Sequence, residues 1–296
     1  MAEEKSKKLA DEVRGLSLTD GNCFGIPRKC DAKGNREIVA RMVTRRDDPE
    51  YKMSHKYRGS ALIFSHESFD KLEPRSEANV DYENLKKVLD QLDFEVKPYK
   101  DLSYEEVRKK IAKAAGKDHT DHDCILVAIL TQGESDMVWA KDKCYKVDDI
   151  WSAFTPDKCP TLAGKPKIFF VQATQAKLLR DPGFRLQHKG ETQTDGDSAS
   201  NYKIPLYADF LVAFSSIPEY CSWSDSERGS WFIKSLCEEL SKSAKSLDLL
   251  MLLTFVAQRV AVDFETYDEG HKQITCTMST LTRILRFADQ KRRTSK

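Results

Sequence analysis

The sequence contains no uncharged hydrophobic run long enough to cross a membrane. Its most apolar stretch, residues 247–264, includes Asp248, Arg259 and Asp263, whereas a membrane-spanning helix needs about 20 predominantly apolar residues. The amino terminus, MAEEKSKKLADEV, is charged and lacks the apolar core of a secretory signal. We therefore expect a cytoplasmic protein that has no membrane partner.

An excess of one charge sign is also missing. Lys and Arg total 48 and Asp and Glu total 47, which gives a formal net charge of +1. A balanced charge provides no long-range field that would attract a nucleic acid or a membrane surface. The composition is 40% hydrophobic and 32% charged, which is typical of a globular domain. We expect no nucleic-acid partner.

Closely spaced CxxC pairs are absent. The eight cysteines are scattered, and some lie in apolar runs, which is more typical of a reducing compartment than of a disulfide framework. They occupy positions 23, 30, 124, 144, 159, 221, 237 and 276. The segment HTDHD (119–123) places two histidines beside aspartates, as a zinc site would. No second ligand pair is evident, so a polar turn is the favoured interpretation, and we expect no metal and no cofactor.

Short apolar runs alternate with helical patterns along most of the chain. This alternation predicts an α/β fold in which a mostly parallel sheet carries helices on both faces. The run CILVAIL is apolar on both faces and predicts a central strand, and Ser103 with Glu106 predicts a capping box. The predicted strands are 59–65, 94–99, 124–130, 168–171, 208–215 and the looser run 273–287; the predicted helices are 81–92, one from 103, 147–154, 229–245 and 247–264.

A polar segment interrupts this alternation. Residues 177–203 include KGETQTDGDSASNYK and predict an exposed, flexible linker. Residues 1–50 are polar and rich in turn signals, so we expect a short flexible leader. The remaining chain forms two blocks, residues 51–176 and residues 204–296.

Several segments, in the right order, resemble executioner-type caspases. They are ANVDYENL (78–85), GKPKIFFVQA (164–173), IPLYADFLVAFSSIPEY (204–220) and GSWFIKSLCEEL (229–240). The resemblance extends over roughly residues 50–287. It implies one caspase domain with a six-stranded, mostly parallel sheet, in which 51–176 corresponds to the large subunit, 177–203 to the intersubunit linker and 204–296 to the small subunit. It also makes Asp195, in TQTDGD, a possible processing site.

The resemblance places unusual residues at the catalytic positions. The family signature is Gln-Ala-Cys-(Arg/Gln/Gly)-Gly, but residues 172–176 read QATQA, so Thr174 occupies the nucleophile position. The base position is Gln132, in TQG (131–133), and Gly133 matches the oxyanion donor. A threonine hydroxyl needs an adjacent base to act as a nucleophile, and a glutamine amide does not exchange a proton near neutral pH. From these positions we expect no functional catalytic residue and no enzyme.

The resemblance also locates a pocket for an aspartate side chain. Arg75 and Gln172 match two of its residues, and Trp223 belongs to the motif that supplies a second arginine. That arginine is replaced by Ser224. The loss of one charge-assisted hydrogen bond, worth about 1.5–3 kcal/mol, should weaken recognition of aspartate. We therefore interpret these residues as remnants of the pocket.

These observations favour an inactive caspase homologue, a pseudoenzyme that regulates an active paralogous caspase in apoptosis. The favoured hypothesis is that heterodimerisation through the 273–287 strand raises the partner's activity. A dominant-negative inhibitor and a decoy for caspase inhibitor proteins are the alternatives from the same binding class. A homodimer is a further possibility for the strand. The alternative from the enzyme class is a residual hydrolase that uses Thr174.

Overall fold

A computed structural model describes most of the chain. The described ranges are 29–30, 36–37, 44–134, 137–175, 205–217, 222–225, 228–266 and 271–287. Most of the predicted leader, the predicted linker 177–203 and the possible processing site Asp195 lie outside these ranges. The chain divides into two units, residues 1–39 and 40–296. In the first unit β1 (Lys29–Cys30) pairs antiparallel with β2 (Arg36–Glu37).

The second unit alternates strands and helices, as the sequence predicts. In chain order its elements are β3 (Ser60–Ser65), α1 (Ala78–Gln91), β4 (Glu95–Lys100), α2 (Tyr104–Ala115), β5 (Ile125–Glu134), β6 (Met137–Trp139), β7 (Cys144–Lys146), α3 (Asp148–Trp151), β8 (Lys167–Gln175), β9 (Phe210–Phe214), β10 (Ser224–Asp225), β11 (Gly229–Ser230), α4 (Trp231–Ser243), α5 (Leu249–Asp263) and β12 (Cys276–Ser279). Short 3₁₀ turns at Ser152–Phe154 and Pro160–Leu162 connect α3 to β8.

The central sheet has the order β12-β9-β8-β5-β3-β4, with β6 and β7 attached to β5 as an antiparallel extension. All neighbours along this six-strand path pair in parallel except β12, which is antiparallel to β9. The predicted α/β fold with a six-stranded, mostly parallel sheet is therefore confirmed. Parallel pairing requires crossover connections, and the helices α1 and α2 supply them between β3, β4 and β5.

The strand β5 shows why this sequence buries both faces of a sheet. Successive side chains of a strand point to opposite faces, and in the first six residues of β5, 125–130, every side chain is apolar. Leu126, Ala128 and Leu130 belong to one hydrophobic cluster, which includes α1, α4 and α5. Residues 125, 127 and 129 belong to the other cluster, which includes α2 and α3. Helices therefore cover both faces of the sheet.

The observed element boundaries differ from the predicted ones at the carboxyl ends of β5 and β8. The sequence places the end of the strands at Leu130 and Val171, but the strands continue to Glu134 and Gln175. The polar residues there continue the ladder because β5 and β8 pair as far as Gly133 and Gln175, and Glu134 pairs with β6. Thr174 therefore lies in a strand, three residues beyond the predicted strand end at Val171. In the last apolar run, only Cys276–Ser279 is a strand.

The capping box predicted at the start of α2 is present. The Glu106 carboxylate accepts hydrogen bonds from the Ser103 backbone N–H at 2.9 Å and from its hydroxyl at 2.7 Å, which satisfies a free donor at the helix start. At the start of α5, the Asp248 carboxylate accepts from the backbone N–H groups of Leu250 and Met251. In the part of the chain that the structure covers, no helix is long and apolar enough to cross a membrane.

Candidate functional site

The two predicted catalytic positions lie side by side at the carboxyl ends of β5 and β8. Gln132 and Thr174 are register partners in the parallel ladder between these strands. Ligands of open α/β sheets bind at this edge of the sheet, so both positions lie where a site is expected. The Gln132 side chain is half-buried, and its Nε2 donates a hydrogen bond to the Glu73 carbonyl at 2.6 Å. This bond ties the loop before α1 to β5.

Gly133 lies at the same edge, between β8 and β6. It pairs with Gln175 on one side and with Val138 on the other. A Cβ atom at this position would lie 2.6 Å from the Met137 carbonyl oxygen, so no larger residue fits. The close approach of the backbones explains the glycine, and its role as an oxyanion donor stays a prediction.

Arg75 is the most firmly held of the predicted pocket residues. It is 3% exposed, and it forms ion pairs with Glu77 (3.1 Å) and Asp81 (3.3 Å). Asp81 in turn accepts hydrogen bonds from the Ser230 backbone N–H (2.8 Å) and hydroxyl (2.7 Å). Burial raises the pKa of Asp81, whereas Arg75 and Ser230 act in the opposite direction. The Nη1 atom of Arg75 is buried and makes no hydrogen bond to any described residue.

Glycine at position 229 completes this arrangement. Its φ angle is +82°, and an added Cβ would lie 2.6 Å from the Asp81 Oδ1 atom. The left-handed backbone favours glycine, and the missing side chain leaves room for the Asp81 carboxylate to reach Ser230. The carboxylate therefore joins α1 to β11, far apart in sequence.

Gln172 belongs to a second network, which runs along the end of β8. Its Nε2 donates to the Ser222 hydroxyl at 2.9 Å, and that hydroxyl donates to the Ala173 carbonyl at 3.0 Å. The Oε1 atom of Gln172 is buried and has no hydrogen-bond partner in the described ranges. Gln273 continues the network, because its side chain accepts from the Trp223 N–H (2.7 Å) and donates to the Ser215 carbonyl (2.6 Å).

The other two predicted pocket residues lie on the segment that this network holds. Trp223 is half-buried, and its ring stacks on His271 at a centroid distance of 5.9 Å. Ser224 is exposed and lies in β10, opposite Ser230 in β11. The structure thus connects Arg75, Gln172 and Trp223 through Asp81, Ser222 and their partners, while Ser224 offers only a short exposed side chain.

The HTDHD segment forms a turn that is held from within by a lysine. The Lys165 ammonium group donates to the carbonyls of His119, Thr120 and His122 at 2.6–2.8 Å. Burial lowers the pKa of Lys165 to about 8. Asp123 is committed to an ion pair with Arg58 at 3.0 Å. Among the described residues, no group of three or more His, Cys, Asp or Glu side chains could hold a metal ion.

Three of the residues that build the site have no sequence signal of their own. Asp81 is in the first turn of a helix, where an aspartate ordinarily remains exposed. Ser222 lies outside every predicted helix and strand, and Gln273 is the first residue of the loosely alternating run 273–287, which gives no indication of its hydrogen bonds. Only the position of Asp81 inside the family segment ANVDYENL and of Ser222 next to Trp223 could have indicated these two residues.

The fold and the arrangement of residues at the carboxyl ends of β5 and β8 define an α/β protein of the caspase class. The family description "Caspase domain" matches residues 58–286, most of the chain. The chain therefore belongs to the caspase family, a peptidase family.

Individual relatives extend this result. The chain is 55% identical to Caspase drICE of Drosophila melanogaster over 263 residues, which covers 86% of this chain and 77% of that protein. It is 51% identical to Caspase-1 of Spodoptera frugiperda over 257 residues, covering 84% and 85% of the two chains. The crystal structure of the Spodoptera frugiperda Caspase-1 superimposes with a TM-score of 0.77 at 48% identity, covering 86% of this chain and 99% of that one.

The expectation that this chain is not an enzyme is contradicted by these comparisons. Relatives that are 55% and 51% identical to it over the aligned residues are named as caspases, a class of cysteine proteases. The expectation relied on the side chains at positions 132 and 174, whereas the similarity extends over 263 residues. The chain is therefore assigned to a family of proteolytic enzymes, and the assignment of Gln132 and Thr174 to the dyad positions stays a prediction.

Proposed function

We propose that this caspase-family protein regulates an active paralogous caspase in the cytoplasm, by pairing with it through the edge strand β12. The favoured direction is enhancement of the partner's activity in apoptosis. The observation that supports the proposal most strongly is the path from β12 to the candidate site, which combines the hydrogen bonds of Gln273 and Ser222 with the backbone between neighbouring residues. The same path would operate in a homodimer.

The strand β12 has the properties of a pairing edge. One of its sides pairs with β9, and within the described ranges no strand pairs with its other side. Edge strands are commonly protected by lysine or proline, but β12 reads CTMS and contains neither. Met278 is 46% exposed and Ile274, just before the strand, is 41% exposed. Apolar side chains flanking free backbone groups favour the addition of another strand.

The route from this edge to the site has few steps. Gln273 precedes β12 by three residues, is 3% exposed, and holds both the Trp223 N–H and the end of β9. Ser222, which directly precedes Trp223, accepts a hydrogen bond from Gln172 in β8. A partner of the same family would present its own site beside the shared edge. Pairing that orders β12 would therefore favour the ordered arrangement of the site segments on both sides, a population shift.

A rate titration tests this proposal. Increasing amounts of the protein are added to a fixed low concentration of an active executioner caspase, and cleavage of an Asp-containing reporter peptide is followed. The protein alone, as wild type and as Thr174→Ala, gives the background and measures any hydrolysis that uses Thr174. A saturable rise above this background supports enhancement. A saturable fall supports the dominant-negative alternative, and an unchanged rate contradicts regulation by pairing.

The unpartnered Nη1 atom of Arg75 favours a second function, the binding of acidic side chains. A buried arginine Nη1 with no partner is costly unless a ligand satisfies it, and a carboxylate is the ligand that a guanidinium group prefers. We propose that this pocket binds an aspartate of a peptide or of a caspase inhibitor protein. Gln172 Oε1 could accept from the ligand's backbone N–H. This binding would make the protein a decoy.

Binding of a fluorescent Asp peptide measures this second function. The matched control is the same peptide with Asn in place of Asp, which has the same shape but no charge. We expect the Asp peptide to bind at least about tenfold more tightly, since one charge-assisted bond contributes that much. Equal affinities would contradict a carboxylate site at Arg75.

A further inference from the structure

A second pocket lies away from the candidate site, between the sheet edge strand β4 and the helix α2. Its volume is about 130 Å³. Its lining includes Leu62, Tyr99 and Ala114. Ser60 and His119 also line the pocket. Four lysines complete its lining: Lys97, Lys110, Lys113 and Lys117. This is a strong local concentration of positive charge in a chain whose net charge is only +1.

Few acidic groups balance these lysines. Glu95 pairs with Lys97 at 2.7 Å, while Lys113 and Lys117 form no ion pair with any carboxylate of the described ranges. Asp118 follows Lys117 in the sequence and keeps its charge, while its Oδ1 accepts hydrogen bonds from the Thr120 N–H (2.8 Å) and hydroxyl, so the four lysines still outnumber the carboxylates Glu95 and Asp118. The Lys110 ammonium group lies 5.2 Å from the centre of the Tyr99 ring. The pocket therefore keeps a substantial positive charge.

The ammonium groups of Lys97 and Lys117 are close enough to perturb each other. The interaction with Lys97 and, after it, burial lower the pKa of Lys117. Burial lowers the pKa of His119 to about 4, so this histidine is neutral near pH 7. Two cations held together at a pocket mouth are stabilised when an anion lies between them, because each like charge disfavours the other's charged form.

The dimensions and donors limit the class of anion. Pockets for drug-sized ligands occupy about 300–1,000 Å³, so a pocket of about 130 Å³ fits a group as small as a phosphate. Lysine ammonium groups bind phosphate as point charges. The hydroxyl of Ser60 adds a neutral polar group: it donates to Glu95 at 2.9 Å and accepts from Lys97 at 3.0 Å.

We infer that the pocket between β4 and α2 is a binding site for a small phosphate-class dianion, held by Lys97, Lys113 and Lys117. Inorganic phosphate and the phosphate group of a small monoester share this chemistry. The site is separate from the residues at the carboxyl ends of β5 and β8, and it does not depend on the regulatory function proposed above.

Isothermal titration of the full-length protein with inorganic phosphate tests this inference. Chloride keeps the ionic strength constant. We expect saturable binding at one site per chain. A parallel titration with phosphoserine distinguishes the two sources: tighter binding than inorganic phosphate indicates a monoester ligand, and weaker binding indicates the free anion. The absence of saturable binding in both titrations would overturn the inference.

Matched lysine variants locate the site. Lys113→Gln and Lys117→Gln should each weaken phosphate binding about tenfold, equivalent to about 1.4 kcal/mol. Lys109→Gln is the control, because Lys109 is exposed on α2, the helix that carries Lys113, and does not line the pocket. All three side chains are exposed, so folding should be preserved. If Lys109→Gln weakens binding as much as the other two, the effect is general surface charge and the site is refuted.

Discussion

At the scale of single residues, the buried ion pairs of Arg75 are the most sensitive part of the site. The side chains of Arg75 and Asp81 are only 2% and 1% exposed. Arg75→Ala removes the positive charge and leaves Asp81 and Glu77 buried without it. Breaking a buried ion pair in this way costs about 3–5 kcal/mol. We predict a loss of unfolding free energy of this size, measured by urea denaturation.

The control for this prediction is an exposed ion pair on α1, the helix that contains Asp81. Lys86 and Asp90 are 2.9 Å apart, with side chains 40% and 46% exposed. Exposed pairs spaced by four residues contribute about 0.3–0.5 kcal/mol, so Lys86→Ala should change stability little. A similar cost for both variants would show that the network around Asp81 does not stabilise the site.

A pH dependence follows from His66, which comes directly after β3. The side chain is fully buried, and neither ring nitrogen has a hydrogen-bond partner among the described residues. Burial lowers its pKa from 6.5 to about 4. Between these two values the unfolded chain binds a proton that the folded chain does not bind. The unfolding free energy should therefore fall as the pH drops through this window.

The variant His66→Leu isolates this contribution. It removes the titrating group without removing a hydrogen bond to any described residue. We expect the loss of stability between pH 7.5 and pH 5 to be smaller in the variant by about 2 kcal/mol. His119, whose pKa is also lowered to about 4, contributes equally to both proteins. Parallel stability curves for wild type and variant would refute the assignment.

Some of these residues could be identified from the sequence, and others could not. Motif order placed Gln132 and Thr174 in one site, and the ladder between β5 and β8 makes them direct neighbours. Asp81 could not be predicted, because its burial depends on Ser230, which lies 149 positions away. The sequence likewise gives no indication that Gln273 bonds to Trp223. Long-range polar contacts leave no periodicity in the chain.

At the scale of elements, the strength of the apolar pattern determined which predictions succeeded. The strand β5 was predicted because its residues 125–130 are all buried and apolar. Its extension to Glu134 could not be predicted, because there the pairing partners β6 and β8 hold polar residues in the sheet. The strand β12 has only four residues and exposed side chains. The loose alternation of residues 273–287 therefore predicted a longer strand than the four residues that the structure contains.

Gln273 connects the end of β9 to the segment before β10, and its substitution should lower the free energy of unfolding by a predictable amount. Gln273→Ala leaves the Trp223 N–H and the buried Ser215 carbonyl without these partners. Each unsatisfied buried group costs about 1–3 kcal/mol. We predict a destabilisation of about 2–4 kcal/mol in urea denaturation, with faster amide exchange at Trp223. Gln258→Ala, an exposed position on α5, should have almost no effect, and an equal effect of both changes would contradict the connection.

At the scale of the whole molecule, the edge strand β12 and the candidate site belong to the same sheet. From the edge, the order is β12, β9 and β8, so the candidate site lies two strands away from a surface that could accept a partner. The pocket of lysines lies beside β4, at the opposite end of this order. The two proposed interactions therefore use opposite edges of one sheet, and each can be tested without disturbing the other.

The most direct test of the central claim is the rate titration of an active executioner caspase, repeated with two methionine variants. Met278→Lys places a charge on the edge strand β12, and Met251→Lys places the same charge on α5; the two methionines are 46% and 48% exposed. A lysine on an edge strand opposes strand addition. The account predicts that wild type and Met251→Lys raise the rate of peptide cleavage to the same plateau, while Met278→Lys leaves it unchanged. A rise with Met278→Lys that equals wild type, or no change with wild type, would contradict regulation through β12.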